Sequence, residues 1–426
     1  METGLLLARH WLPRAASLQA EKSRTAALAR VRAGCYARCV MKRFLLIPAI
    51  LLAAHTAVLA ADAGAPVKLL RTPGGGLQPQ TLVDAKGALH LVSLAGGPGT
   101  WDVFYARRDA GGTNFSAPLR VNSQPGTATA VGTIRGAQLA LGRDGRVHVA
   151  WNGAGGGKSE RGAPMLYARM NDARDAFEPQ RDVSTSTMHL DGGGSVAADD
   201  AGNVYVLWHA ASVEGPKGEQ NRAVFMAKST DDGKTFATEK KVNPKDTGAC
   251  GCCGLKAFAD ARGQLSVLYR SAAGGLDRSA TLLLSTDHGK TFRSASLDSW
   301  RIATCPMSSM TLAQGRGDTL LAAWETQGQI FHAPITPATL EFPDPQKPDG
   351  DTPGRKHPVL ATSDVKGRRQ LLAWTEGTGW KKGGALAWEL TDLDTGLKTT
   401  GRAPGVPVWG RVAAVAEADG TFTIFY

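Results

Sequence analysis

The most reactive side chains of this sequence are four cysteines in its second half. The string ACGCCG contains Cys250, Cys252 and Cys253, and the later string CPMSSM contains Cys305 and Met307. Thiolates and thioethers are soft ligands, so a metal bound by this set would be copper, as Cu(I), or zinc. In an oxidising compartment the same thiols form disulfides. Both alternatives stay open, and we expect Cys305 to pair with one member of the cluster, since the adjacent Cys252 and Cys253 would bridge only with strain.

A second group of chemically interesting side chains lies in loops that flank apolar, alternating segments. Several arginines facing several carboxylates around one opening would form a site for an anionic or polyhydroxyl ligand. The candidates for catalysis are Arg135, Asp191, Glu214, Tyr269, Arg270, Arg278 and Glu325. The candidates for ligand binding are Asn152, His189, His209, Arg222 and His357. Trp409 and Arg411 occupy a corresponding loop near the end of the chain.

These loops alternate with a repeat that organises the chain. In each copy a polar turn with glycine joins two alternating strands, and the second strand usually ends in an aromatic residue, as in LALGRDGRVHVAW. A third and a fourth short strand usually follow, so each period predicts one four-stranded antiparallel blade of a β-propeller. The turn glycines are Gly87, Gly145, Gly202, Gly263, Gly317, Gly367 and Gly420.

The repeat therefore predicts an all-β protein with a single propeller over residues 61–426. Seven blades are expected, and six blades with an irregular closing sheet are the alternative. An orphan strand over residues 67–70 precedes the first hairpin and would complete the last blade. Loops that lead into first strands, and loops that leave second strands, would gather at one mouth of the propeller, where ligands are commonly held.

Two turns of the predicted propeller carry the same eight-residue pattern. STDDGKTF begins at Ser229, and STDHGKTF begins at Ser285 in the same phase of the repeat. Both resemble the Asp box, SxDxGxTF, of the sialidase-like (BNR) propeller family. In such a turn the Asp accepts backbone N–H groups, the Gly takes a positive φ, and the Phe anchors the turn. The positions concerned are Ser229, Asp231, Gly233 and Phe236, and Ser285, Asp287, Gly289 and Phe292.

The resemblance to sialidases implies specific roles for some of the loop residues. Sialidases clamp a substrate carboxylate with three Arg, use a Tyr and Glu pair as nucleophile, and use an Asp as acid and base. Arg135 occupies the place of the first Arg, although Ala137 replaces the proline of that motif. Arg270 with Arg278 would add charge, and Tyr269 with Glu325 or Glu214 would form the nucleophile pair. The expected acid is missing after Trp151, so Asp191 would substitute for it.

Two functions are consistent with these residues. The first is binding of an anionic or carbohydrate ligand at the axial mouth, with glycoside hydrolysis of the exo-sialidase type as the activity. That chemistry requires no cofactor. The second is a non-enzymatic binding propeller with a soft-metal or disulfide site formed by the Cys and Met residues. The expected partner is a small molecule or a glycan, and the expected state is a monomer.

The N-terminal segment predicts export from the cytoplasm. Residues 41–60 combine a basic start, an apolar stretch and small residues at a cleavage position, which is typical of a signal peptide. Residues 1–40 would precede the true start of translation. Residues 1–60 also hold nine basic and two acidic residues, so much of the formal charge of +11 lies there. We therefore expect a periplasmic or secreted protein with neither nucleic-acid binding nor stable membrane insertion.

Overall fold

The computed structural model describes residues 66–132, 134–154 and 162–426. These residues form seven β-sheets and three short 3-10 turns. Among them no helix is long and apolar enough to cross a bilayer. The predicted upstream segment 1–40 and the predicted signal peptide 41–60 lie outside the described residues.

The first three complete sheets follow one another along the chain, and we number them blades 1 to 3. Blade 1 consists of β2 (Leu77–Val83), β3 (Leu89–Ala95), β4 (Asp102–Arg108) and β5 (Leu119–Arg120). Blade 2 consists of β6 (Gln138–Leu141), β7 (Val147–Asn152), β8 (Met165–Arg169) and β9 (Arg181–Asp182). Blade 3 consists of β11 (Ser195–Ala198), β12 (Val204–Ser212), β13 (Ala223–Ser229) and β14 (Lys240–Lys241), with the short β10 (Thr187–Met188) also paired to β12.

The remaining sheets form blades 4 to 7 and are antiparallel except for the pairing of β1 in blade 7. Blade 4 consists of β15 (Lys256–Ala259), β16 (Leu265–Arg270), β17 (Ala280–Ser285) and β18 (Arg293–Ser296). Blade 5 consists of β19 (Met310–Gln314), β20 (Leu320–Thr326) and β21 (Gln329–Ile335). Blade 6 consists of β22 (Arg355–Ser363), β23 (Arg369–Glu376), β24 (Gly384–Asp392) and β25 (Lys398–Val406). Blade 7 consists of β26 (Ala413–Ala416), β27 (Phe422–Phe425) and β1 (Val67–Leu70).

The seven sheets close into a ring. The innermost strands contact one another in sequence, from β2 through β6, β11, β15, β19, β22 and β26 back to β2. The strand β1 adds to β27, as predicted from its orphan position, and it runs parallel to β27 rather than antiparallel. The expected seven-bladed propeller is therefore confirmed, and the six-bladed alternative is not.

Blade 5 has three strands instead of the predicted four. The segment between β21 and β22 contains five prolines, which lack the N–H group that a sheet ladder requires. Only one antiparallel bridge, between His332 and Gln346, marks the place of the missing outer strand in the described structure. Proline content thus explains why the repeat loses its last strand at this blade.

Aromatic residues at the ends of second strands form much of the packing between blades. Trp151, Trp208, Tyr269 and Trp324 are at most 1% exposed. Each lies in a separate buried cluster with aliphatic side chains from the neighbouring sheet. Burial of a large apolar side chain contributes roughly 1.5–3 kcal/mol, so this register stabilises the four boundaries between blades 1 and 5.

The two segments with the Asp-box sequence form matching turns between third and fourth strands. The Ser229 hydroxyl donates to Asp231 Oδ1 at 2.7 Å and accepts the Gly233 N–H at 2.9 Å. The Ser285 turn repeats both bonds at 2.7 and 2.8 Å. Gly233 has φ 78°, and a Cβ at this position would collide with the Tyr167 hydroxyl. These turns connect the two outer strands of their blades and lie at the opposite end from the loops that lead into the innermost strands.

Ring closure gives the first testable prediction. The Tyr426 N–H donates to the Leu70 carbonyl at 3.1 Å, and the parallel register directs the Leu70 N–H toward the same strand. Leu70→Pro should lower the free energy of unfolding by on the order of 2 kcal/mol, because proline removes a ladder donor. Leu70→Ala keeps the N–H and serves as control. Equal denaturation midpoints for the two variants would contradict the closing role of β1.

Candidate functional site

An axial channel runs through the ring and has a volume of about 610 Å³. All seven innermost strands line it, mostly with small or aliphatic side chains. Polar side chains concentrate at the end where these strands begin. Four of them, Gln138, Lys256, His357 and Arg411, come from four different blades. The channel therefore has an apolar wall and one polar end, an arrangement common in ligand sites.

The polar end of the channel is positively charged. Lys256 extends from blade 4 toward blade 2, where its Nζ donates to Gln138 Oε1 at 3.1 Å. Among the described residues no carboxylate oxygen lies within 4.0 Å of Lys256 Nζ or of the Arg411 guanidinium. Burial, together with the Arg411 charge, lowers the pKa of Lys256 to about 7, and burial lowers the pKa of Arg411 to about 10. Two cations thus share one enclosed space without a counter-charge.

His357 adds an uncharged acceptor beside these cations. Its side chain is buried, and its Nδ1 lies 2.7 Å from the Thr375 hydroxyl oxygen. We assign the imidazole proton to Nδ1, because the Thr375 hydroxyl can then accept from the ring and donate to the Lys356 carbonyl at 3.2 Å or to Thr378 Oγ1 at 3.0 Å. Burial, followed by the Lys356 and Arg411 charges, holds the pKa of His357 well below its usual value. The neutral ring therefore presents Nε2, which has no hydrogen-bond partner among the described residues, as an acceptor.

Side chains of second strands bind the loops that lead into the innermost strands of the following blades. Asn152 donates to the Gly192 carbonyl and accepts the Gly194 N–H, so it ties the loop before β11 to blade 2. His209 Nε2 lies 2.7 Å from the Cys253 carbonyl, and burial lowers the pKa of that ring. Both side chains are buried and engaged with backbone. The structure thus places Asn152 and His209 in the support of the mouth rather than on its open surface.

Other predicted ligand-binding residues lie at the rim. Arg135 pairs with the Asp191 carboxylate, and its Nε also donates to the Asp191 carbonyl at 2.6 Å. His189 is exposed, and its carbonyl accepts a bond from Arg222, which also pairs with Glu219 at 3.2 Å. Among the predicted catalytic pairs, the structure brings Arg135 and Asp191 together at the mouth.

Arg270 lies inside the wall of the propeller instead of at the mouth. Its side chain is fully buried, and all of its nitrogen atoms are engaged. They donate to Ser308 Oγ, the Arg278 carbonyl, Asp298, the Glu325 carbonyl and Thr326 Oγ1. Arg278 is also buried, and it contacts Glu219 and the Gly275 carbonyl. In this arrangement Arg270 crosslinks blades 4 and 5, and Arg278 links blade 4 to the Glu219 loop of blade 3. Arg270 has no donor left for a ligand.

The residues predicted as a nucleophile pair lie apart. Tyr269 packs in a core cluster, its hydroxyl donates to Thr247 Oγ1 at 3.0 Å, and burial raises its pKa to about 12. Glu325 is buried and pairs with Lys356 at 2.9 Å, and burial raises the pKa of its carboxyl group. Glu214 lies exposed on the loop after β12. Neither glutamate contacts Tyr269 in the described structure, because the tyrosine packs against the preceding blade 3 rather than facing the axis.

The cysteines gather beside the mouth. Cys252 and Cys305 lie at disulfide-bonding distance, with their Cα atoms 6.3 Å apart. Cys250 and Cys253 remain thiols, with their Sγ atoms 3.3 Å apart. Cys250, Cys252 and Cys253 also form the one candidate cluster of three metal-ligating side chains within the described residues. Met307 lies elsewhere, in a cavity of about 50 Å³ with Lys356 and Trp380.

Sequence reasoning did not identify Lys256 and gave Arg411 no role. Lys256 begins the apolar strand KAFA, and its charge there was the available signal. All four residues of β15 line the channel, so a lysine in this strand reaches the channel whichever of the two neighbouring blades its side chain faces. The period-two pattern alone does not reveal this, because it describes the two faces of a sheet and not the edge at the axis.

Comparisons with known proteins extend to structure alone. Neither a protein-family model nor a curated protein sequence matches the chain. A protein of unknown function from Dyadobacter fermentans is similar with a TM-score of 0.48 and 15% identity, covering 73% of this chain and 93% of its own. The microbial sialidase Hz136 is similar with a TM-score of 0.47 and 11% identity, covering 76% of this chain and 67% of its own. The polysaccharide lyase Uly1 is similar with a TM-score of 0.46 and 12% identity, covering 75% of this chain and 78% of its own. At such identities the similarity concerns the propeller fold.

The position of Arg270 gives the second prediction. Arg270→Met should lower the free energy of unfolding by about 3–5 kcal/mol, because Asp298 loses its buried cationic partner. Arg301→Ala is the matched control, since its ion pair with Asp277 is exposed and its loss should cost less than about 1 kcal/mol. Chemical denaturation measures both. Unchanged stability of Arg270→Met would show that the side chain is not a structural crosslink.

Proposed function

We propose that this protein is an exported propeller that binds an anionic, hydroxyl-bearing ligand of the acidic-sugar class at the polar end of its axial channel. The observation that carries the proposal is the pair of cations, Lys256 and Arg411, that share the channel without a carboxylate from the part of the chain that the structure describes. Export rests on the signal-like residues 41–60.

The energetic argument starts from the cost of confining like charges. Charged groups removed from water are unfavourable unless they are paired, and the lowered pKa values of Lys256 and Arg411 express that cost. A bound carboxylate would supply the missing counter-charge and accept charge-assisted hydrogen bonds from both side chains. Strongly perturbed cations that line a cavity are typical of functional sites.

The neutral groups of the site support a ligand that carries hydroxyl groups. His357 Nε2 offers an acceptor in the same channel as the cations, and a carboxylate cannot satisfy an acceptor. A sugar hydroxyl can donate to it. The Gln138 side chain, which accepts from Lys256 and donates to the Gly136 carbonyl at 3.3 Å, provides further polar surface. A channel of about 610 Å³ falls within the size range of small-molecule sites.

Hydrolysis of acidic glycosides is the second candidate function, favoured by the Arg135 and Asp191 pair at the rim. Asp191 is partly exposed and would be the group that transfers a proton, while Arg135 holds it in place. On this hypothesis Asp191→Asn abolishes turnover and retains ligand binding in the channel. A protein that binds acidic sugars and hydrolyses none of their glycosides is a binding module.

The third prediction tests the channel cations directly. N-acetylneuraminate or glucuronate should raise the thermal midpoint of the native protein, and glucose should not. Lys256→Met should weaken binding by about 10- to 100-fold, as expected for one charge-assisted hydrogen bond. Lys245→Met removes an exposed lysine outside the channel and should leave the affinity unchanged. Equal affinities of both variants, measured by titration calorimetry, would exclude Lys256 from the site.

The fourth prediction concerns stability and pH without ligand. The pKa of Lys256 is lower in the folded state than in the unfolded chain, so below pH 7 the folded protein carries the full cost of the buried charge. That cost is relieved as the pH rises from about 7 toward the unfolded value near 10. Lys256→Met should therefore raise the thermal midpoint most at pH 6 and least at pH 9. A difference in thermal midpoint between Lys256→Met and native protein that stays the same at every pH would contradict the burial of this charge.

A further inference from the structure

The four sulfur atoms beside the mouth form a line from solvent into the core. Cys305 is exposed, Cys252 is partly buried, and Cys250 and Cys253 are fully buried. Cys250 Sγ lies 3.5 Å from Cys252 Sγ and 3.3 Å from Cys253 Sγ. Each sulfur is thus within contact distance of the next, and the Cys252 and Cys305 sulfurs lie at bonding distance.

The backbone around these sulfurs is held from several sides. The Cys250 N–H donates to the Arg270 carbonyl at 2.8 Å, and the Gly254 N–H donates to the Ser308 carbonyl at 2.8 Å. The Gly251 N–H donates to Glu219 Oε2 at 2.7 Å. The turn therefore keeps the two buried thiols next to Cys252, and their proximity does not depend on a flexible loop.

The buried thiols also sit beside groups that favour a thiolate. The Arg270 Nε donates to the Ser308 hydroxyl at 3.1 Å, and that hydroxyl donates to Cys253 Sγ at 3.3 Å. The Arg270 charge and the Ser308 hydrogen bond would stabilise a Cys253 thiolate, which could take the proton of Cys250. Thiolate is the form that attacks a disulfide.

We propose that the Cys252–Cys305 disulfide and the Cys250/Cys253 dithiol form a relay that exchanges the disulfide between an exposed and a buried position. The proposal is independent of the ligand proposed for the channel. The two states have the same oxidation level, so the exchange needs no external oxidant or reductant.

The exchange takes two steps. Cys253 first releases its proton to water and then takes the proton of Cys250, whose thiolate attacks Cys252 Sγ. The bond to Cys305 breaks, and Cys305 leaves with the electron pair and takes back from water the proton that Cys253 released. Cys253 then attacks Cys250 Sγ as a thiolate and breaks the Cys250–Cys252 bond. Cys252 leaves with that electron pair and accepts the proton that Cys253 took from Cys250, so protons are neither gained nor lost overall. The products are a buried Cys250–Cys253 disulfide and two thiols, at Cys252 and Cys305.

The exchange would release the loop that contains Cys305 from blade 4. In the starting state the Cys252 and Cys305 pair links the loop before β19 to the loop before β15. In the product state that link is absent, and Cys305 is an exposed thiol able to react with an external disulfide. The buried pair would therefore control the reactivity of an exposed cysteine.

The test follows Cys305 in native protein without any reductant. The protein is incubated at pH 8 with iodoacetamide, digested under non-reducing conditions, and its peptides are mapped by mass spectrometry. We expect label on Cys305 to increase with time while a disulfide appears within the peptide that contains Cys250 and Cys253. Cys250→Ser should leave Cys305 unlabelled, and Cys253→Ser should stop at a Cys250–Cys252 disulfide with Cys305 labelled.

The native protein alone can overturn the proposal, so the result does not depend on how the variants fold. If Cys305 stays unlabelled and the Cys252–Cys305 disulfide persists, the proposed exchange does not occur. Equal labelling of Cys305 in native protein and in Cys250→Ser would show that Cys250 is not the attacking thiol. Stoichiometric copper or zinc in the purified protein, with Cys250 and Cys253 protected from label, would replace the relay with a metal site.

Discussion

Closure of the seven-bladed ring is the constraint on which the proposed site depends. The pairing of β1 with β27 joins the two ends of the described chain, and the innermost strands then contact each other all the way around. Because every innermost strand begins at the same end of the channel, side chains far apart in sequence converge there. Lys256 can reach Gln138 from a blade that is not adjacent only because the ring fixes both across one axis.

The same geometry explains why buried charge divides into two kinds. Arg270 lies in the wall, where Asp298 and several carbonyl groups satisfy its donors, and it crosslinks neighbouring blades. Lys256 and Arg411 lie on the axis without such partners. A buried cation with a carboxylate partner stabilises the fold. A buried cation without one is stabilised when a ligand of opposite charge binds. This contrast is the physical basis for placing the site in the channel rather than at the rim.

Much of the fold could be predicted from the sequence, because seven turn glycines and the aromatic register repeat at a nearly constant interval. The role of residues 67–70 followed from the missing outer strands of the last hairpin. The loss of a strand in blade 5 was not predicted, although its five prolines were visible. Local repeat signals thus determine the number of blades better than they determine the completeness of each blade.

The candidate site was harder to predict, for a physical reason. Loop position assigned Arg135 and Asp191 to the same mouth, but it also grouped them with Arg270 and Tyr269, whose side chains turn into the wall. Alternation along a strand does not say which neighbouring blade a side chain meets. Lys256 was overlooked because it belongs to a strand, and at a propeller axis strand residues reach the ligand space as readily as loop residues do.

A crystal structure of the protein soaked with N-acetylneuraminate or glucuronate tests the central claim most directly. The account predicts density for the sugar at the polar end of the channel, with its carboxylate within hydrogen-bond distance of Lys256 Nζ and the Arg411 guanidinium and a hydroxyl donating to His357 Nε2. A sugar bound only at the rim beside Arg135, or an empty channel at saturating ligand concentration, would contradict it.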